Sequence, residues 1–164
     1  GRKEEAGEET MSFGIVLDRP KCADNVASTL RTARCYGAAF VAVVGNRAGA
    51  KAATGHPMNT HKTDRHVPVM AFPDWDAYFA ALSPSSWPAI GLEVDGSTSL
   101  PAFRGHVRSA VYLFGPEDGS LAKDARRRCV ETVSVPTILC LNLAITVATV
   151  CYDRAAKRAV EEKP

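Results

Sequence analysis

The chain lacks the signatures that most often announce an enzyme. It has no G-x-G-x-x-G dinucleotide loop, no G-x-x-x-x-G-K-[ST] phosphate loop, no H-E-x-x-H and no G-x-S-x-G nucleophile elbow. The missing dinucleotide fingerprint argues against a nicotinamide enzyme. No apolar run is long enough to span a membrane. The longest, from Pro136 to Tyr152, is broken by Thr137, Asn142, Thr146 and Thr149. The first ten residues are polar and lack the apolar middle of a secretion signal. They read as a disordered polar tail, with the domain running over 11–164. An excess of one charge is missing too. Twenty Lys and Arg against 18 Asp and Glu leave a net charge of +2, so any nucleic-acid surface has to be a local patch. The five cysteines, Cys22, Cys35, Cys129, Cys140 and Cys151, form no C-x-x-C, and an odd number makes no disulfide framework. Such usage fits a reducing cytoplasm. His56, His61 and His66 hint at a metal, but no Cys or acidic pair completes a ligand set, so no metal is expected.

What remains is an ordinary globular composition. A chain of 164 residues with 46% hydrophobic and 23% charged content is one domain with a full core. Phe13 to Asp18 is an apolar run suited to a buried strand. Asp24 can cap a helix running to Tyr36 and closed by Gly37. Phe40 to Val44 is a β-branched strand, and this βαβ unit implies a parallel sheet with a right-handed crossover. The stretch from Gly45 to Val67 shows no period and is rich in basic residues, among them Arg47, Lys51, Lys62 and Arg65, which makes it a functional or mobile loop. Asp74 begins a helix through Leu82. Strands follow at Pro88 to Val94, Val107 to Phe114 and Val130 to Val135. Ser120 can cap a helix to Cys129, and Leu141 to Lys157 forms the last helix. This alternation predicts an α/β domain with a mostly parallel sheet and helices on both faces.

Several polar residues stand where chemistry would need them, and each also has a plain reading. Gly115-Pro116-Glu117-Asp118-Gly119 is a turn sequence, yet it follows a strand, and Gly lets backbone approach a ligand at the carboxyl edge of a sheet. Asn25 could be a helix-start residue and Arg31 a surface Arg. Six residues turn a helix through about 240°, so the two do not share a face. Asn142 interrupts an apolar stretch where a helix begins, as an N-terminal cap or as a polar group aimed at a site. Arg104, Arg108 and Arg126 to Arg128 are either RNA-facing patches or solvated faces.

In order and spacing these segments resemble the three motifs of the SpoU (TrmH) class of SPOUT RNA methyltransferases. Motif one, an Asn with an Arg six residues on, is matched by Asn25-Val26-Ala27-Ser28-Thr29-Leu30-Arg31. Motif two is matched by Val111-Tyr112-Leu113-Phe114-Gly115-Pro116-Glu117, and motif three by Val135-Pro136 followed by Cys140-Leu141-Asn142-Leu143-Ala144. The chain departs from the usual pattern at Ala27, where the family has Gly, and at Cys140 and Ala144, where it has hydroxyls. The resemblance implies a C-terminal deep trefoil knot; since general topology rules treat knots as essentially absent, the knot rests on the resemblance alone. It implies S-adenosylmethionine as cofactor, held by loops at Leu92, Gly115, Val135, Cys140 and Leu141. It implies a catalytic neighbourhood of Asn25, Arg31, Glu117 and Asn142. It implies methyl transfer to a ribose 2′-hydroxyl of RNA, tRNA being favoured over rRNA and Arg47, Lys51, Lys62 and Arg65 serving the RNA. A homodimer is expected, packed through the last helix with its apolar Leu143, Val147, Val150 and Cys151. The alternatives are action on rRNA, or a non-catalytic RNA-binding protein that keeps the fold.

Overall fold

Strands buried on both faces need apolar side chains at successive positions, and the runs noted above supply them. The computed structural model describes residues 12–45, 66–82 and 87–161. Its strands are β1 (Ser12–Asp18), β2 (Phe40–Val44), β3 (Val69–Phe72), β4 (Ala89–Leu92), β5 (Thr98–Ser99), β6 (Ser109–Phe114) and β7 (Cys129–Ser134). Its helices are α1 (Ala23–Tyr36), α2 (Trp75–Ala81), α3 (Lys123–Arg127) and α4 (Leu143–Glu161). The strands form one sheet in the order β3-β2-β1-β6-β4-β7-β5, and every pairing is parallel.

Each strand sends alternate side chains to opposite faces. Along β1, Phe13, Ile15 and Leu17 join Val26, Leu30 and Ala33 of α1 and Leu143, Val147 and Val150 of α4 in one core. Val16 faces the other way and joins Trp75, Tyr78 and Phe79 of α2 with Ala125 of α3. Helices therefore cover both faces, as the alternation predicts.

The helix ends show how local chemistry sets the boundaries. Gly37 takes φ 71°, and Ala38 donates back to the Ala33 carbonyl at 2.8 Å, closing α1 with the wrapped turn that favours glycine. Asp74 caps α2 by accepting from the Ala77 amide at 2.8 Å. Two expected caps are corrected. The cap position of α1 is Cys22, and Asp24 sits inside the first turn, where its charge suits the helix dipole. Ser120 lies upstream of α3, which starts at Lys123 and is only five residues long. The apolar residues expected to mark a dimer face of the last helix, Leu143, Val147, Val150 and Cys151, are buried in the chain's own core.

Candidate active site

A sheet with all strands parallel gathers its carboxyl ends on one edge, where α/β folds place ligands. Asp18 ends β1, Glu93 follows β4, Gly115 follows β6 and Val135 follows β7. The three sequence motifs meet at this edge.

Glu117 sits in the turn after β6 and is solvent-facing. Its carboxylate accepts the backbone amides of Lys21 at 2.7 Å and Cys22 at 3.2 Å and the side-chain amide of Asn25 at 2.6 Å. The other end of Asn25, Oδ1, accepts from Nδ2 of Asn142 at 2.9 Å. Asn142 in turn accepts the amide of Ala144 at 2.8 Å through its own Oδ1. A continuous relay thus runs from the Glu117 carboxylate through two side-chain amides to the first turn of α4. Partial burial alone would raise the Glu117 carboxyl, but the donors from Asn25, Lys21 and Cys22 outweigh it and hold it below the ordinary carboxylate value. Asn142 therefore caps α4 and also bonds Asn25.

Arg31 lies on α1 beyond Asn25, on a different face, and is exposed. It makes no hydrogen bond or ion pair among the described residues.

Beside the relay lies a cleft of about 290 Å³, near the low end for small-molecule sites. Leu92, Gly115, Val135, Cys140 and Leu141, the five residues expected to hold a cofactor, all line it. Phe114, Val133 and Leu143 add apolar wall, and Glu117, Ser134 and Thr137 are among its polar lining residues. Gly115 is needed for closure: a Cβ there would stand 3.0 Å from the Leu121 amide nitrogen and 3.2 Å from the Ser120 carbonyl carbon.

Two acids absent from the sequence expectations hold this edge together. Asp18, fully buried, accepts from Arg19, from the Trp75 indole at 3.1 Å and from the Ala122 amide at 2.7 Å. Glu93 accepts the adjacent Leu121 amide at 2.7 Å. The turn 115–122 is thus pinned by Glu117 at one end and by two buried carboxylates at the other. The signal was present in the sequence: each acid directly ends an apolar strand.

The basic patches fare unevenly. Arg47, Lys51, Lys62 and Arg65 lie outside the described residues. Arg126 pairs with Asp95 at 3.1 Å, Arg127 with Asp124 at 3.6 Å, and Arg128 stacks over Phe79 at 4.1 Å. Arg126 to Arg128 thus each engage a neighbour within the chain. Among the described residues, no cluster of His, Cys, Asp or Glu could hold a metal ion, and no helix is long and apolar enough to cross a membrane.

Comparison with known proteins matches this geometry. The SpoU rRNA Methylase family model matches residues 12–152. The 23S rRNA (guanosine-2'-O-)-methyltransferase RlmB of Nitrosomonas europaea is 28% identical over 142 residues, which are 85% of this chain and 54% of that protein. The chain therefore spans about half the length of that curated relative. The SpoU methyltransferase AviRb from Streptomyces viridochromogenes superposes with a TM-score of 0.80 at 21% identity, over 93% of this chain and 62% of that one. AviRb in complex with the cofactor AdoMet gives a TM-score of 0.77 at 22% identity, over 92% and 62% of the two chains. A structure solved for insight into the 2-OH methylation of C/U34 on tRNA gives 0.75 at 22% identity, over 92% and 99%. At these identities the structural likeness is one of fold.

Proposed function

Given that the chain belongs to the SpoU rRNA Methylase family, we propose that it transfers a methyl group from S-adenosylmethionine to a ribose 2′-hydroxyl of RNA. The observation that carries this reading is the Glu117–Asn25–Asn142 relay at the mouth of the cleft, which joins residues from three separate motifs. Leu92, Gly115, Val135, Cys140 and Leu141 would line the cofactor's site, where apolar Phe114, Val133 and Leu143 and polar Ser134 and Thr137 suit a ligand of mixed polarity. When bound, the cofactor supplies a methyl group already activated by its sulfonium. The protein's part is then to align the ribose oxygen and to stabilise the negative charge developing on it. Arg31 serves this end as a fixed positive charge near the attacking oxygen and its phosphate, because a guanidinium is too weak an acid to act as a base. Glu117 and Asn142 hold Asn25, and with it the first turn of α1, in one orientation.

Two further features belong to the same reading. One is a deep trefoil knot near the C-terminus, as the family resemblance implies. Two chains pair through the outer face of α4, where Ile145 and Tyr152 are exposed seven residues apart on one side of the helix. The RNA is tRNA. The match to the structure concerned with C/U34 on tRNA runs through 99% of that chain, whereas RlmB, named for 23S rRNA, is matched over 54%. Five free thiols fit a cytoplasmic setting.

The test is transfer of labelled methyl to bulk tRNA and bulk rRNA. Labelling of tRNA is expected, falling about 100-fold in Arg31→Ala, the size of effect seen when one charge-stabilising donor is removed. Label confined to rRNA would defeat the tRNA assignment alone. Cofactor binding without labelling of any RNA would favour a non-catalytic RNA-binding protein, a reading motivated by Cys140 and Ala144 in place of hydroxyls.

A further inference from the structure

Among the described residues, the non-glycine residue with a positive φ is Arg19, at 46°. That left-handed conformation favours glycine, and a residue with a Cβ keeps it only where its surroundings impose it. Arg19 stands just past the end of β1, on the ligand edge of the sheet. Its amide donates to the Val44 carbonyl at 2.7 Å, continuing the ladder between β1 and β2. Its side chain passes close to Gly45, where a Cβ would stand 2.6 Å from the Arg19 Cγ. Successive side chains of an extended strand point to opposite faces, so Asp18 and Arg19 could not pair in a straight strand. The left-handed turn brings the guanidinium round. Its Nε donates to Asp18 Oδ1 at 3.1 Å and its Nη2 to Asp18 Oδ2 at 3.2 Å. Nη2 also donates to the Ser120 carbonyl at 3.1 Å, 101 positions along the chain.

That last bond joins two segments that shape the site. The loop 19–22 offers the amides of Lys21 and Cys22 to Glu117, and the turn 115–122 carries Glu117 itself. Past Glu117 the turn is held at three successive residues. Arg19 takes the Ser120 carbonyl, Glu93 the Leu121 amide and Asp18 the Ala122 amide. Gly115, Pro116, Glu117 and Gly119 of the same turn line the cleft. We propose that Arg19 is a positioning residue for methyl transfer, held in a strained turn so that its guanidinium staples the 19–22 loop to the 115–122 turn and fixes that wall of the cleft. The inference rests on the reading that the cleft takes S-adenosylmethionine. Arg19 acts through the turn and not on the ligand. The competing role is an ion pair with the buried Asp18 that serves folding alone, and it would change ligand binding only as far as it changes stability.

Two variants separate the roles. Arg19→Gly and Arg19→Ala both remove the guanidinium, but only Gly relieves the backbone. Thermal unfolding should therefore rank the Gly variant above the Ala variant, and the reverse order would refute the strained turn. Calorimetric titration with S-adenosylhomocysteine, well below both unfolding midpoints, should show about a tenfold loss of affinity in each, equal within about twofold, the scale of one lost hydrogen bond from a charged group. Unaltered affinity in either variant, or a loss that follows their order of stability, overturns the proposal. Should Arg19→Ala not fold, Arg19→Gly decides alone: about a tenfold loss in a folded chain supports the staple, and full affinity overturns it. Failure of the unaltered protein to bind S-adenosylhomocysteine at all would instead remove the parent reading of the cleft.

Discussion

Asn25 holds the relay because its two ends face groups that leave no choice of orientation. A carboxylate only accepts hydrogen bonds, so the amino end of Asn25 must face Glu117. Its carbonyl end then requires a donor, which Asn142 supplies, and the carbonyl of Asn142 is left for the amides of α4, which only donate. The relay is polar in one direction from end to end. Asn142→Ala should cost about 1 kcal/mol through the lost cap. Asn142→Asp keeps the cap but sets a second acceptor against Asn25. Chemical unfolding should therefore find the Asp variant more stable than the Ala variant, while both lose methyl transfer about 100-fold. Full activity in Asn142→Asp would mean that the relay is not needed. At this scale Glu117 and Asn142 were legible because one follows an apolar strand and the other interrupts an apolar stretch, whereas Asn25 and Arg31 were marked only by the motif resemblance. Asp18 and Glu93 were not singled out because an acid at a strand end also suits solvent, and only the folded arrangement shows them buried.

Among the elements, α4 is tied down most heavily, and by a network the sequence did not reveal. His106 lies between the Tyr112 hydroxyl at 2.7 Å and Asp153 at 2.8 Å. Arg154 donates to the carbonyls of Val107 and Arg108 and to Tyr112, while Lys157 reaches Asp153 and the Phe103 carbonyl. These bonds lash the loop before β6 to the helix whose start carries Asn142. Burial lowers the His106 pKa, against the pull of Asp153. Below pH about 6.5 the unfolded chain then binds a proton that the folded chain resists, so the associated stability is present above that pH and is lost as pH falls through the window to the lower folded value. The thermal midpoint should drop between pH 7.5 and pH 5.5, and His106→Gln should flatten that drop. An unchanged slope in the variant would show that folding leaves the His106 pKa at its unfolded value. The bonds that Arg154 and Lys157 make to Tyr112 and Phe103 join residues 42 and 54 positions apart, which no local pattern encodes. The long strands and helices were readable from their apolar runs. β3 and β5 were not, because one has four residues, none of them fully buried, and the other has only two.

For the molecule as a whole, function follows from strand direction. Because every strand is parallel, the ends of β1, β4, β6 and β7 converge, and residues up to 117 positions apart in the chain come into hydrogen-bond contact. The α/β alternation made that convergence foreseeable; the depth of the cleft and the carboxylates behind it depended on packing between elements. The most direct measurement is alkaline hydrolysis of RNA labelled by the protein with methyl-tritiated S-adenosylmethionine. A methyl group on the ribose 2′-oxygen removes the nucleophile that alkali uses to cleave the neighbouring phosphodiester. The account predicts that the label survives in alkali-resistant dinucleotides. Label recovered in mononucleotides would place the methyl on a base and contradict the assignment of this site to ribose 2′-O-methylation.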